Sequence, residues 1–81
     1  MYYVYIIKCE DGSLYTGITT NIARRFSEHK TKIGGHYTRS HKVKEVIYSE
    51  KHRTRSDALK REIEIKGWRR EKKLALITKN K

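Results

Sequence analysis

The sequence predicts an α+β domain: a small three-stranded, largely antiparallel sheet flanked by helices, in the order β-β-α-β-α-α. Three observations predict it. Two runs rich in Tyr, Val, Ile and Thr flank an Asp11-Gly12 turn near the N-terminus, a hairpin signal. A third strand-like run, with Val43, Val46, Ile47 and Tyr48, stands apart from them. The segments between and beyond these runs carry apolar residues at helical spacing, and helices packed on a sheet are a stable two-layer arrangement.

The first strand is expected over residues 2–9 and the second over residues 13–18. Their connection has two readings. A two-residue loop at Asp11-Gly12 pairs Tyr5 with Ile18 and sends Tyr5 and Tyr15 to opposite faces. A three-residue loop with Gly12 left-handed pairs Cys9 with Ser13 and Tyr5 with Gly17, so that Tyr3, Tyr5, Ile7, Tyr15 and Gly17 share a face. The second arrangement is predicted, with Gly17 leaving space beside Tyr5.

Asn21 is placed to cap a helix over residues 22–30, with Ile22 and Phe26 toward the core. Arg25 and His29, four apart, border that stripe, and Arg24 faces away. Residues 33–41 read as a loop and residues 43–50 as the third strand. Thr54 or Ser56 caps the next helix, read over residues 57–67, with Asp57 favouring its first turn. Gly67 ends or bends it, and residues 69–78 form the last helix, with Leu74, Ala75, Leu76 and Ile77 inward.

Within the helix over residues 57–67, Ala58, Leu59, Ile63 and Ile65 define an apolar face, and Glu62 falls near its middle while Glu64 points to water. A half-buried carboxylate is costly unless a cation, hydrogen-bond donors or a metal ion pairs with it. A solitary inward acid in a basic chain therefore marks a site.

Composition narrows the partners. The 81 residues carry 20 Lys plus Arg against 9 Asp plus Glu, a net charge of +11. That excess favours a polyanion, and nucleic acid is the expected one, DNA ahead of RNA; a membrane is not expected. One domain over residues 1–81 is expected, with a thin core, because a chain this short buries only about 60% of its unfolded surface. Cys9 is the single cysteine, so no internal disulfide forms. With no leader-like N-terminus and no apolar run of spanning length, a soluble cytoplasmic protein is expected. Oligomeric state is not legible. No zinc spacing, Ser or Cys nucleophile motif, or phosphate-loop ending occurs.

Tyr3-Val4-Tyr5, Tyr15-Thr16-Gly17, Arg25, His29 and Glu62, in this order and spacing, resemble the GIY-YIG nuclease signature. The likeness covers nearly the whole chain and is closest to small single-domain bacterial members. Tyr3 stands for the first glycine of the signature and Thr16 for its second isoleucine. Related domains occur in the incision subunit of nucleotide excision repair and in homing endonucleases. The resemblance implies a metal-dependent endonuclease that hydrolyses phosphodiester bonds in DNA or RNA, in repair or recombination. The alternative is a nucleic-acid-binding module of the same fold with little or no catalysis, and a separate protein supplying specificity fits either reading.

By the same resemblance, Glu62 holds one Mg²⁺ or Mn²⁺, Arg25 clamps the phosphate, Tyr5 positions or deprotonates the attacking water, Tyr15 orients water or phosphate, and His29 relays a proton. Arg24, His36, Tyr37, Arg39 and Lys66 are expected to contact nucleic acid. The plainer readings stay open beside these: sheet aromatics for Tyr5 and Tyr15, solvated or helix-edge positions for Arg25 and His29, and an ion pair of Glu62 with Lys66 or Arg25. Trp68 either stacks on a base or packs between the last two helices.

Overall fold

Alternation, turn chemistry and caps place three strands and three helices, which a computed structural model describes over residues 1–30 and 42–79. Strands β1 (Tyr2–Cys9), β2 (Leu14–Thr19) and β3 (Val43–His52) form one sheet in the order β2-β1-β3, antiparallel at both pairings. Helices α1 (Ile22–Lys30), α2 (Arg55–Lys66) and α3 (Arg70–Lys79) complete the order β-β-α-β-α-α. The α+β class and the antiparallel sheet are as predicted. No helix among the described residues is long and apolar enough to cross a membrane.

The hairpin takes the three-residue loop. The Cys9 amide donates to the Ser13 carbonyl at 2.9 Å, Gly12 sits at φ 88°, and Tyr5 pairs with Gly17. Asp11 Oδ1 accepts from the Ser13 amide at 2.9 Å and from its hydroxyl at 2.6 Å, which braces the turn. Arg70, at the start of α3, donates to the Gly12 carbonyl and so ties the hairpin tip to the last helix.

The two faces of the sheet carry different loads. Val4 and Ile6 of the central strand pack with Ala58 and Ile65 of α2, ringed by Tyr2, Leu14, Ile18, Ile47, Tyr48, Trp68, Leu76 and Ile77. Burying each Val or Ile contributes about 1.5–3 kcal/mol, so this cluster is the main cohesive term of a thin core. Tyr3, Tyr5, Ile7, Tyr15 and Gly17 occupy the opposite face, against α1. In β3 the register slips opposite Ile6/Ile7 and opposite Lys8/Cys9. Such bulges bend the strand and tighten its twist.

Three expectations are corrected. Ile63 is 62% exposed rather than inward. At 3.6 residues per turn, Ala58, Glu62 and Ile65 lie within about 60° of one another, while Ile63 is about 100° or more from each. In α3 only Leu76 and Ile77 join the core; Ala75 is exposed and Leu74 is 38% exposed. Four consecutive helical residues span about 300°, so one face cannot take them all.

Glu62 is also not the only inward acid. Glu50, on the α2 face of β3, accepts from the Tyr48 hydroxyl at 2.5 Å and bonds His52 Nε2 at 2.6 Å. The Arg61 Nε reaches both of its oxygens, at 3.2 and 3.1 Å. Burial works to raise its pKa, and the bonds from Tyr48, His52 and Arg61 outweigh that, holding it below the ordinary value. Arg61 continues to Glu64 at 2.6 Å and lies 5.1 Å from the Trp68 ring centroid, with the Lys72 ammonium at 4.5 Å. This network bolts β3 to α2, and Trp68 packs against the core.

Caps set the helix starts. Asn21 Oδ1 accepts from the Arg24 amide at 3.0 Å, and Thr54, rather than Ser56, accepts from the Asp57 amide at 3.1 Å.

Thr16 Oγ1 is buried on the Val4 and Ile6 face with no hydrogen-bond partner among the described residues. An unsatisfied buried hydroxyl costs about 1–3 kcal/mol. Thr16→Val keeps the shape and removes that cost, so it is expected to raise unfolding free energy by about 1 kcal/mol in a urea titration. A loss of stability instead would mean that the hydroxyl is paired.

Candidate functional site

The site grows from the pairing register. Tyr5, on the central strand, projects its ring across Gly17 of the neighbouring strand. A Cβ built on Gly17 would lie 2.6 Å from the Tyr5 hydroxyl and 2.9 Å from its Cζ, so only glycine leaves the ring its place. The same register sets Tyr15 beside it, with ring centroids 6.3 Å apart. Helix α1 then brings His29, in its last turn and only 1% exposed, against both rings. The His29 and Tyr15 centroids are 5.0 Å apart at an interplanar angle of 64°, an edge-on packing.

Polar contacts converge on the Tyr5 hydroxyl. It lies 3.0 Å from His29 Nε2, and the Arg25 guanidinium donates to it as well. Burial lowers the pKa of His29, and the nearby Arg25 charge adds to this against a smaller opposing pull from Glu28. The imidazole is therefore neutral near pH 7. A neutral ring with its proton on Nδ1 accepts from Tyr5 through Nε2, which leaves the Tyr5 oxygen to accept from Arg25. The Tyr5 pKa is pushed up to about 12, first by burial and further by the charges of Tyr15 and Glu62, against Arg25.

Glu62 reaches the cluster from α2, which lies over β1 and β2. Its side chain is 13% exposed, against 56% for Glu64, so the two acids face as their helical positions require. Its charge is felt at Tyr5. Its ion pair is with Lys66, one turn on, at 3.4 Å. Tyr5, Tyr15, Arg25 and His29 thus meet around one hydroxyl, and Glu62, on α2, lies within electrostatic reach of it.

The donor set fits a hard cation. Mg²⁺ takes one or two carboxylates and keeps several waters, and an inward carboxylate paired with a half-exposed ammonium is the kind of donor it would use. No group of three or more His, Cys, Asp or Glu able to cage a metal occurs among the described residues.

The remaining predicted contacts are less gathered. Arg24 points outward and pairs loosely with Glu28 at 4.0 Å. Lys66 adjoins the site through Glu62. His36, Tyr37 and Arg39 lie outside the described residues. The sequence reading missed Glu28, whose Oε1 accepts from Arg25 at 3.0 Å and so sets the direction of that guanidinium. Its signal was present: Glu28 stands three residues after Arg25 and four after Arg24 on one helix.

Comparison with known proteins places the chain in a family and agrees with the fold. The family model of the GIY-YIG catalytic domain matches residues 1–75. The UPF0213 protein SSP2268 of Staphylococcus saprophyticus is 47% identical over 77 residues, covering 95% of this chain and 94% of that protein. A UPF0213 protein of Staphylococcus aureus is 46% identical over 76 residues, covering 94% of this chain and 93% of its own length. The solution NMR structure of the UPF0213 protein BH0048 from Bacillus halodurans superposes with a TM-score of 0.58 at 35% identity. It covers 96% of this chain and 84% of that one.

Two outcomes are expected from the packing and charge of the site. Gly17→Ala forces the Tyr5 ring off its seat, and overpacking of this kind costs about 1–3 kcal/mol; denaturant unfolding measures it, and an unchanged midpoint would refute the close contact. The folded pKa of His29 lies below its unfolded value of about 6.5, so the unfolded chain binds the proton more readily. The stability due to neutral His29 is present above pH 6.5 and is lost as pH falls below it, until the folded pKa is passed. Unfolding measured from pH 5 to 8 is expected to show this slope in the wild type and not in His29→Gln; equal slopes would refute it.

Proposed function

Because the chain belongs to the GIY-YIG catalytic domain family, a family of nuclease type whose domains generally use divalent metal ions, we propose that it is an endonuclease that hydrolyses phosphodiester bonds in DNA, with RNA as the second substrate class. Its proposed setting is repair or recombination, with a separate protein choosing the target.

The observation that carries this reading is the Tyr5 hydroxyl, held 3.0 Å from His29 Nε2 and within the fields of Arg25 and Glu62. With its pKa at about 12, forming a free tyrosinate at pH 7 spans about 5 pH units, roughly 7 kcal/mol. A concerted relay avoids that cost. The attacking water gives its proton to the Tyr5 oxygen while Tyr5 passes its own to His29 Nε2, and the resulting hydroxide attacks phosphorus as the ester P–O bond opens. Tyr15 buttresses the imidazole edge-on and offers its hydroxyl to the water or the phosphate. Arg25, aimed by Glu28, presents two N–H groups to phosphate oxygens. Glu62 would hold one Mg²⁺ or Mn²⁺, whose charge stabilises the extra negative charge on the phosphoryl and leaving oxygens. Arg24 and Lys66, with His36, Tyr37 and Arg39, would grip the backbone.

The test uses plasmid, branched and single-stranded DNA, and RNA, in Mg²⁺, Mn²⁺ or EDTA. The expected outcome is cleavage that needs the metal and falls by at least about 10²-fold in Glu62→Gln and in Arg25→Ala, with nucleic-acid binding retained by Glu62→Gln. Binding without cleavage on every substrate would replace this reading with that of a binding module. Cleavage that survives Glu62→Gln would refute Glu62 as the metal ligand.

A further inference from the structure

We propose that Lys66 is a positioning residue that stands in for the metal at Glu62 and is handed to the nucleic-acid backbone when the divalent ion arrives. This deepens the proposed nuclease reading and rests on it. The Lys66 ammonium lies 3.4 Å from Glu62 Oε2, on the same helix one turn later. The carboxylate is 13% exposed and the lysine 52% exposed, so the acid is fixed and its partner can swing. A divalent cation at the same oxygen leaves no room for a second positive charge beside it, because like charges at such separations repel strongly in a partly buried site. Lys66 therefore leaves, and its flexible stem carries the ammonium toward solvent, where the phosphates of a bound strand would lie.

Glu50 provides the internal contrast. Its partners Tyr48, His52 and Arg61 are all less exposed than Lys66 or held by several bonds at once, and Arg61 engages both oxygens. That acid has no exchangeable cation. Glu62, among the described residues, is paired with the half-exposed Lys66. The exchange links the two ligands: without metal, Glu62 holds back one positive charge from the backbone, and with metal it releases it.

Calorimetric titration of the full chain with Mn²⁺ tests the first half. Lys66→Met, which keeps the apolar stem, is expected to bind Mn²⁺ about two- to fivefold tighter than wild type, the scale of a half-exposed ion pair. Glu62→Gln is expected to lose that binding. Equal affinities for wild type and Lys66→Met, with binding lost in Glu62→Gln, overturn the role of Lys66 and leave the nuclease reading standing. Identical behaviour in all three proteins overturns both.

Binding of a short duplex followed by fluorescence anisotropy tests the second half. Lys66→Met is expected to weaken duplex binding in Ca²⁺ and to leave it unchanged in EDTA, where Glu62 holds the lysine. An equal loss in both conditions marks Lys66 as an ordinary phosphate contact and overturns the exchange.

Discussion

The seating of the Tyr5 ring over Gly17 is the constraint on which the site depends. It requires the three-residue hairpin loop, since the shorter loop would set Ile18 opposite Tyr5. It requires a strand position without a side chain, which Gly17 supplies at a contact of 2.6 Å to the virtual Cβ. It also requires α1 to end where His29 can meet the hydroxyl, and the Asn21 cap fixes where that helix begins. One face of a three-stranded sheet thus carries a polar cluster beside the buried Ile7 and Cys9, while Val4, Ile6, Ala58 and Ile65 form an apolar cluster on the other.

Two inward acids meet opposite fates in this chain. Glu50 is held by a tyrosine, a histidine and the Arg61 Nε–H shared between its two oxygens, which makes it a structural rivet between β3 and α2. Glu62, among the described residues, pairs with the half-exposed ammonium of Lys66, and its charge reaches the Tyr5 hydroxyl. Burial alone does not separate a structural acid from a chemical one; the completeness of its partners does. The net charge of +11 gives both a basic setting, and it bears on partners rather than on the fold.

Much of the fold was legible because the signals are local. Alternating Tyr, Val and Ile in β1, the Asp11-Gly12 turn and the Asn21 and Thr54 caps act within a few residues, and each formed near its expected place. Glu62 was legible as inward because Ala58 and Ile65 flank it at helical spacing. The errors came where composition was read without geometry: Ile63 and Leu74 are apolar, yet their helical positions face outward. The Glu50 network escaped notice for a different reason. Tyr48, Glu50 and His52 alternate along one strand face, but Arg61 reaches them only through tertiary packing. The bulges in β3 carry no glycine signal at all, and only the pairing with β1 reveals them.

The hairpin tip adds a constraint of another kind. Its Gly12 carbonyl is held by Arg70, 58 residues further along the chain. Tyr5, Tyr15, Arg25 and His29 all precede residue 30, whereas Glu62 and Arg70 come from the final third of the sequence. During synthesis the aromatic and guanidinium groups emerge long before the carboxylate and the clasp, and contacts so distant in sequence close late because their loop entropy must be overcome first. Until Glu62 and Arg70 have been made, a growing chain therefore carries the aromatic and guanidinium groups without the acid that the proposed hydrolysis would need.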